Sequence, residues 1–197
     1  HAREGESFMR MVIGSDLHGA PDSLIFLTDR VRELKPDRVV LLGDLLYHGP
    51  RNPLPGGYGP KGMPDLFRTL MDLAPVTAVR GNCDAEIDCM LVPFPMAESA
   101  IIDADGLQLY ASHGHHIPEI PPMDGFARGT VFLRGHTHVP RGETIDGFTF
   151  WNPGSMTLPK RGYPRSWAVY EDGTFTVKDF EGGTVLSHAV SGNGAGK

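Results

Sequence analysis

Cysteine is nearly absent: among 197 residues only Cys83 and Cys89 carry a thiol. Two thiols cannot frame a disulfide-stapled fold, so a reducing compartment is expected. Basic charge is also in short supply. Lys and Arg number 18 against 24 Asp and Glu, a formal net charge of −6 at pH 7. That balance argues against non-specific binding to nucleic acid or to a membrane surface, which needs a basic face. A small phosphorylated substrate stays compatible with it, because bound metals reverse the local sign. Long apolar runs are missing too, and no transmembrane segment is expected. The opening HAREGESFMRM lacks the apolar core of a signal peptide. The chain begins on His1, with Met9 or Met11 reading as a natural start, and a cytoplasmic location is expected.

What the sequence does have is an ordinary globular balance of 40% hydrophobic and 21% charged residues. The length suits one domain with its own core. That domain is expected over residues 9–190, between flexible tails at 1–8 and 191–197. Met11 to Gly14 reads as a buried strand. Pro21 and Asp22 open a helix with Leu24, Leu27, Val31 and Leu34 on one stripe, and Pro36 closes it. Val39 to Leu42 forms a second buried strand, which makes the start a βαβ unit with a parallel pair. Residues 48–64 (HGPRNPLPGGYGPKGMP) have no periodicity and read as a long functional loop. Phe67, Leu70, Met71 and Leu73 suggest a second helix, with a strand near Thr77 to Val79. Three Asp-Gly dipeptides, at 105–106, 146–147 and 172–173, then sit between strand-like runs and predict hairpins. The α/β first half and β-rich second half fit two mixed sheets with helices outside.

Chemistry concentrates in five short clusters, each at the end of an expected strand: Asp16-Leu17-His18, Gly43-Asp44, Gly81-Asn82-Cys83-Asp84, Ser112-His113-Gly114-His115 and Gly135-His136-Thr137-His138. Strand ends in open α/β sheets converge on one crevice. In extended backbone, positions i and i+2 share a face, so Asp16/His18 and His136/His138 are each expected to offer two ligands together. The candidate metal ligands are Asp16, His18, Asp44, Asn82, His113, His136 and His138. Mixed imidazole and carboxylate donors suit Mn, Fe, Zn or Ni, with Mn preferred here, rather than Ca or Mg. Seven side chains exceed one site and match two divalent ions sharing a carboxylate. Against Asp16, Asp44 and a bridging hydroxide, two such ions leave a net charge of about +1, which attracts a phosphate. Taken singly, a DLH, a GD or an HxH is a weak signal; their joint occurrence is what carries weight.

At these residues the chain resembles the calcineurin-like metallophosphoesterases, whose motifs DxH, GD, GNH with an acidic residue, HGH and GHxH read here DLH, GD, GNCD, HGH and GHTH. The likeness runs from Met11 to about Val190. In two loops, His48 to Pro60 and Asn152 to Lys160, it is greatest to the small bacterial YfcE-type phosphodiesterases. The resemblance implies a four-layer α/β/β/α sandwich of two mixed β-sheets flanked by helices. It also implies hydrolysis of phosphodiesters, with monoesters a further option, by in-line attack of a metal-bridging hydroxide. One ion is then expected on Asp16, His18 and His138 and the other on Asn82, His113 and His136, with Asp44 bridging and Asp84 orienting neighbouring groups. The same resemblance admits a catalytically weak or inactive scaffold for protein–protein interaction, since some members serve as such; loss of ligands would favour that role, and every ligand position is filled. An oxygenase-type centre is disfavoured, as it commonly uses two His and one carboxylate around a single iron.

One position departs from the pattern. The histidine of GNH is Cys83 here, a poor hydrogen-bond donor. Either it weakens turnover of esters with poor leaving groups, unless His48, His115 or His116 substitutes, or it is a small filler. Catalytic candidates are thus Asp44, Asn82, Cys83 and His115, and substrate-binding candidates Arg51, His48, Cys83 and His115. Arg51, in the loop, has the planar fork that matches phosphate oxygens; the loop is expected to be a lid, the alternative being an oligomer contact or a solvated loop. Tyr58 either stacks on an aromatic leaving group or packs the loop. Lys160 and Arg161, after the NPGS turn, either reach the substrate rim or, as preferred, form a solvated charge pair, and Cys89, Trp151 and Trp167 read as core. The expected partner is a small phosphoester, with a homo-oligomer an option because Leu54 and Tyr58 are apolar loop residues.

Overall fold

A computed structural model describes residues 8–190; the expected tails, Phe8 apart, lie outside the described residues. Strand β1 (Arg10–Gly14) leads through helix α1 (Pro21–Leu34) to β2 (Arg38–Leu41), which pairs with β1 in parallel. Pro21 occupies the first turn of α1, where its missing N–H costs nothing, and Lys35 ends the helix in a left-handed conformation. The loop expected to reach residue 64 stops earlier. A 3-10 turn at Pro60–Gly62 feeds α2 (Met63–Leu73), because Pro64 is tolerated in a first helical turn. Then come β3 (Val76–Val79), parallel to β2, a short α3 (Glu86–Leu91) and β4 (Met96–Ala97), parallel to β3.

The chain next builds a second sheet from β5 (Ser99–Ala104), β6 (Leu107–Ser112), β7 (Val131–Leu133), β8 (Arg141–Ile145) and β9 (Phe148–Asn152). It then returns to the first with β10 (Ser166–Glu171), β11 (Thr174–Asp179) and β12 (Thr184–Ala189). The large sheet runs β12-β11-β10-β1-β2-β3-β4 and the small one β5-β6-β7-β9-β8. All three Asp-Gly hairpins form, joining β5–β6, β8–β9 and β10–β11. Both central residues have positive φ in each, for example 52° at Asp105 and 81° at Gly106, as a type I′ turn requires.

Alternation along the strands assigns the layers. Val12, Val39 and Leu41 face outward onto Leu24, Leu27 and Val31 of α1 and Phe67 and Leu70 of α2. Met11, Ile13, Val40 and Leu42 face inward onto Leu109, Ala111, Val131, Leu133 and Trp151 of the small sheet. Each such side chain, removed from water on both sides, contributes roughly 1.5–3 kcal/mol. Trp151 stacks on Phe175 with ring centroids 5.1 Å apart, fastening the two sheets. Both tryptophans are core, whereas Cys89 on α3 is only partly covered. The expected sandwich of two mixed sheets is present, with one difference in its fourth layer. Phe132, Phe148 and Phe150 on the outer face of the small sheet are covered by Ile117, Met123 and Phe126 from an irregular stretch, not by a helix. Pro118, Pro121 and Pro122 in that stretch remove the amides that a helix needs. Among the described residues no helix is long and apolar enough to cross a membrane.

Candidate metal centre

The carboxyl ends of five strands from both sheets meet at one edge of the sandwich. Asp16 and His18 follow β1, Asp44 follows β2, Asn82 follows β3, His113 follows β6, and His136 and His138 follow β7. The β1 and β2 loops are zipped together by the amides of Asp16, His18 and Gly19, which donate to the carbonyls of Gly43, Asp44 and Leu45. Glycine is required at Gly81, where a Cβ would strike both Asp44 Oδ1 and the Asp44 backbone nitrogen.

The expectation that DxH and HxH sit in extended backbone is corrected by the dihedrals. Asp16, His18, Asp44, His136 and His138 all have φ between 46° and 67°, a left-handed region that non-glycine residues seldom occupy. The consequence differs between the two motifs. Asp16 and His18 stay together, with His18 Nε2 3.7 Å from Asp16 Oδ1. His136 and His138 part company: His138 Nε2 lies 3.2 Å from Asp16 Oδ1, whereas His136 Nδ1 lies 2.8 Å from Asn82 Oδ1. His113 Nε2 is 3.0 Å from the same Asn82 oxygen. Asp44 stands between the two groups, its Oδ2 3.3 Å from His113 Nε2 and 3.8 Å from His18 Nε2.

This donor set fits metal ions. Among the described residues Asp16 Oδ1 is buried and accepts no well-directed hydrogen bond, although His138 Nε2 lies 3.2 Å away, a costly state for a carboxylate oxygen unless a cation meets it. His18, His113 and His138 each turn Nδ1 to a backbone carbonyl, of Tyr47, Leu42 and Leu158 at 2.9, 2.6 and 2.5 Å. Such bonds fix the N–H on Nδ1 and leave Nε2 facing the centre as the ligand atom. Two of those Nε2 atoms, on His18 and His138, are only 3.1 Å apart, which calls for a shared proton or a cation.

The electrostatics of the donor groups agree. Burial alone would raise the Asp16 carboxyl, yet contacts from His138 and His18 hold it well below the usual carboxylate range. Burial likewise opposes charging of His113, but Asp44 and Asp16 outweigh it and lift its pKa to about 9. Asp84 holds the cradle. Its carboxylate accepts from the amides of Asp44, Leu45 and Gly81, each at 2.8 Å.

Residues 9–173 match the calcineurin-like phosphoesterase superfamily domain. The chain belongs to that superfamily. With its ligand motifs filled and a phosphodiesterase among its relatives, it is a metal-dependent hydrolase of phosphate esters. It is 36% identical over 178 residues to phosphodiesterase YfcE of Escherichia coli K12, covering 86% of this chain and 91% of that protein. The solved structure of E. coli YfcE, described as a phosphoesterase, superposes with a TM-score of 0.83 at 32% identity, covering 93% of this chain and all of that one. Vps29 of Entamoeba histolytica, solved with zinc, shares the fold at a TM-score of 0.57 and 22% identity, over 92% of this chain and 98% of that one.

In this phosphoesterase a cleft of about 1010 Å³ opens beside Asp44, Asn82, His136 and His138, lined also by Arg51, Cys83, Arg80, Lys160 and Arg161. Lys160 and Arg161 are exposed, as a solvated pair would be, yet they form part of this wall. His48 and His115 are not among the lining residues. His48 stacks edge-on against Tyr47 and Tyr58, and His115 packs beside His113 and His116. Tyr58 packs its ring over Gly19 and lines a separate apolar hollow of about 500 Å³ with Leu46, Pro60 and Leu91. Burial and the charges of Asp44 and its neighbours push the Cys83 thiol up to about 12.

Sequence reasoning missed the supports of the centre. Ser15 Oγ donates to Asp16 Oδ2 at 2.6 Å and Ser155 Oγ to the Asp16 carbonyl at 2.9 Å. Asn152 Nδ2 donates to the Gly135 carbonyl at 2.8 Å and to Thr137 Oγ1 at 3.0 Å. Arg80, anchored by its Nε on the Asp84 carbonyl at 2.9 Å, was also unnamed. A polar residue next to a ligand motif is the only local signal for Ser15; the others become neighbours only through the fold.

Proposed function

We propose that the chain is a dinuclear phosphodiesterase. The observation that carries this reading is the parting of His136 from His138 into two donor groups with Asp44 between them. On this assignment Asp16, His18 and His138 hold one ion, and Asn82, His113 and His136 the other, with Asp44 shared. The donor chemistry favours Mn, with Zn, Fe and Ni compatible. When bound, two such ions supply an activated water and positive charge for an in-line displacement at phosphorus.

The chain's own residues do the rest. Asn82 contributes an oxygen without adding negative charge, which keeps the centre attractive to a phosphate anion. Asp84 keeps Asp44 in place through the backbone. Arg51, on the loop that we read as a lid, offers its guanidinium to phosphate oxygens. Cys83, a protonated thiol, is a weak donor where the wider family places histidine, so esters with good leaving groups are favoured. A homo-oligomer formed through exposed apolar residues such as Leu54 is compatible with this role. The test is to strip the protein of metal, restore Mn, Zn, Ni or Mg, and follow cleavage of bis-p-nitrophenyl and p-nitrophenyl phosphate beside Asp44→Asn. Metal-restored cleavage of the diester, lost in the variant, supports the reading. Preference for the monoester overturns the substrate class, and no cleavage with any metal overturns the hydrolase.

A further inference from the structure

The cleft continues past the metal ligands into a second basin of about 480 Å³, and Glu119, Thr137, Lys160 and Arg161 line both. The basin adds Arg134, Arg141, Glu143 and Asn152. Arg134 is the unusual member. It is 3% exposed, yet it forms no ion pair among the described residues. Among the described residues its guanidinium makes one hydrogen bond, from Nη1 to the Pro118 carbonyl at 2.8 Å. A buried guanidinium without a carboxylate is expensive unless an anion meets it. The group is also held in place. Arg134 and Arg141 lie over the Phe150 ring at 5.5 and 4.5 Å, and the stem of Arg134 crosses Gly114 where no side chain obstructs it. Arg141 is paired with Glu143, and Glu119 on the rim contributes a favourable charge to Arg134; among the described residues Arg134, Lys160 and Arg161 are the basin's cations that form no ion pair.

We infer that this basin is an anion subsite, so that the enzyme takes phosphodiesters in which one esterified alcohol carries a second phosphate. The inference rests on the hydrolase reading for the scissile group, but the subsite itself is read from Arg134 and its neighbours. The scissile phosphate sits at the donor groups of the metal centre, and the distal phosphate sits on Arg134, with Lys160 and Arg161 closing over it. Planar guanidinium forks suit such an anion.

The probes are the p-nitrophenyl ester of thymidine 5′-phosphate and the same ester carrying a 3′-phosphate, compared on the metal-loaded enzyme. The expected result is a kcat/KM about tenfold higher for the 3′-phosphorylated ester, a gain equal to about 1.4 kcal/mol. That ratio shrinks when salt rises from about 0.05 to 0.5 M. It falls towards one in Arg134→Met and, should that buried change disturb folding, in the surface double variant Lys160→Ala/Arg161→Ala. Calorimetry with thymidine 3′,5′-bisphosphate and thymidine 5′-phosphate reads the subsite without turnover, with the bisphosphate expected to bind about tenfold tighter. Equal kcat/KM and equal affinities overturn the inference, as does a preference that survives both variants. If neither ester is cleaved with any metal, the hydrolase reading falls while the calorimetric comparison still decides the subsite.

Discussion

Raising the pH should weaken the metal-free protein and strengthen its hold on metal, and His113 sets the size of both effects. In the folded chain without metal its pKa rises from 6.5 to about 9, because Asp44 and Asp16 outweigh the burial that opposes its charge. A raised pKa stabilises the fold fully below the unfolded value and loses that contribution as pH climbs through the folded one. At about 1.4 kcal/mol per unit, the span from 6.5 to 9 is worth about 3 kcal/mol. His18, also raised, adds in the same direction. Other groups act outside this window. His115 and His136 are lowered, so their contribution is lost as pH falls below 6.5. Cys83 is raised from 9.0 to about 12, so its contribution is lost only above pH 9. Metal binding needs the neutral imidazole, hence one proton must leave His113 for each ion bound there. Apparent affinity should therefore fall about tenfold per pH unit below 9. Urea unfolding in chelator across pH 6.5–9 measures the first effect, and a pH-stat during Mn addition at about pH 7.5 measures the second. Stability that is flat over this range, or saturation without proton release, refutes the electrostatic account.

Three further outcomes are expected. Gly81→Ala drives a methyl into Asp44 and should cut turnover about a hundredfold with the far-ultraviolet spectrum unchanged; near-normal turnover would show that the Asp44 loop yields. Asp84→Ala strands the amides of Asp44, Leu45 and Gly81 and should cost about 3 kcal/mol in urea unfolding, with lower metal content by elemental analysis. Cys83→His restores a stronger donor and should raise cleavage of alkyl esters relative to p-nitrophenyl esters about tenfold; an unchanged ratio would make Cys83 a filler.

Local chemistry explains which parts were legible from sequence. The Asp-Gly hairpins follow from the positive φ that those two residues tolerate, and α1 from a proline start and one apolar stripe. Both are decided within a dozen residues. The donor residues were visible because glycine-flanked Asp, Asn and His repeat at strand ends. Their conformation was not. That HxH serves two donor groups depends on left-handed backbone at both His136 and His138, enforced by Asn152 from another strand. The short α3 and the three-residue β7 carry too little pattern to announce themselves. Arg134 was invisible as a site residue because nothing local separates a buried arginine from an exposed one; Pro118, Phe150 and Gly114 surround it only in the fold.

Backbone strain at the centre bears on how such a site works. Each non-glycine residue in the left-handed region costs roughly 1 kcal/mol, and Asp16, His18, Asp44, His136 and His138 all adopt it. That conformation persists because hydrogen bonds over-determine it: Asp84 and the zipped amides at the β2 end, Ser155 at Asp16, and Asn152 beneath Thr137. Those anchors are protein groups and need no ion. The backbone that carries the donors is thus held by the protein itself, which lowers the ordering cost of binding an ion. A tripeptide that sends its two histidines to different groups ties both groups to one strand end. On the proposed assignment β7 and its turn would carry one histidine ligand of each ion, so a change in that turn should disturb both donor groups at once.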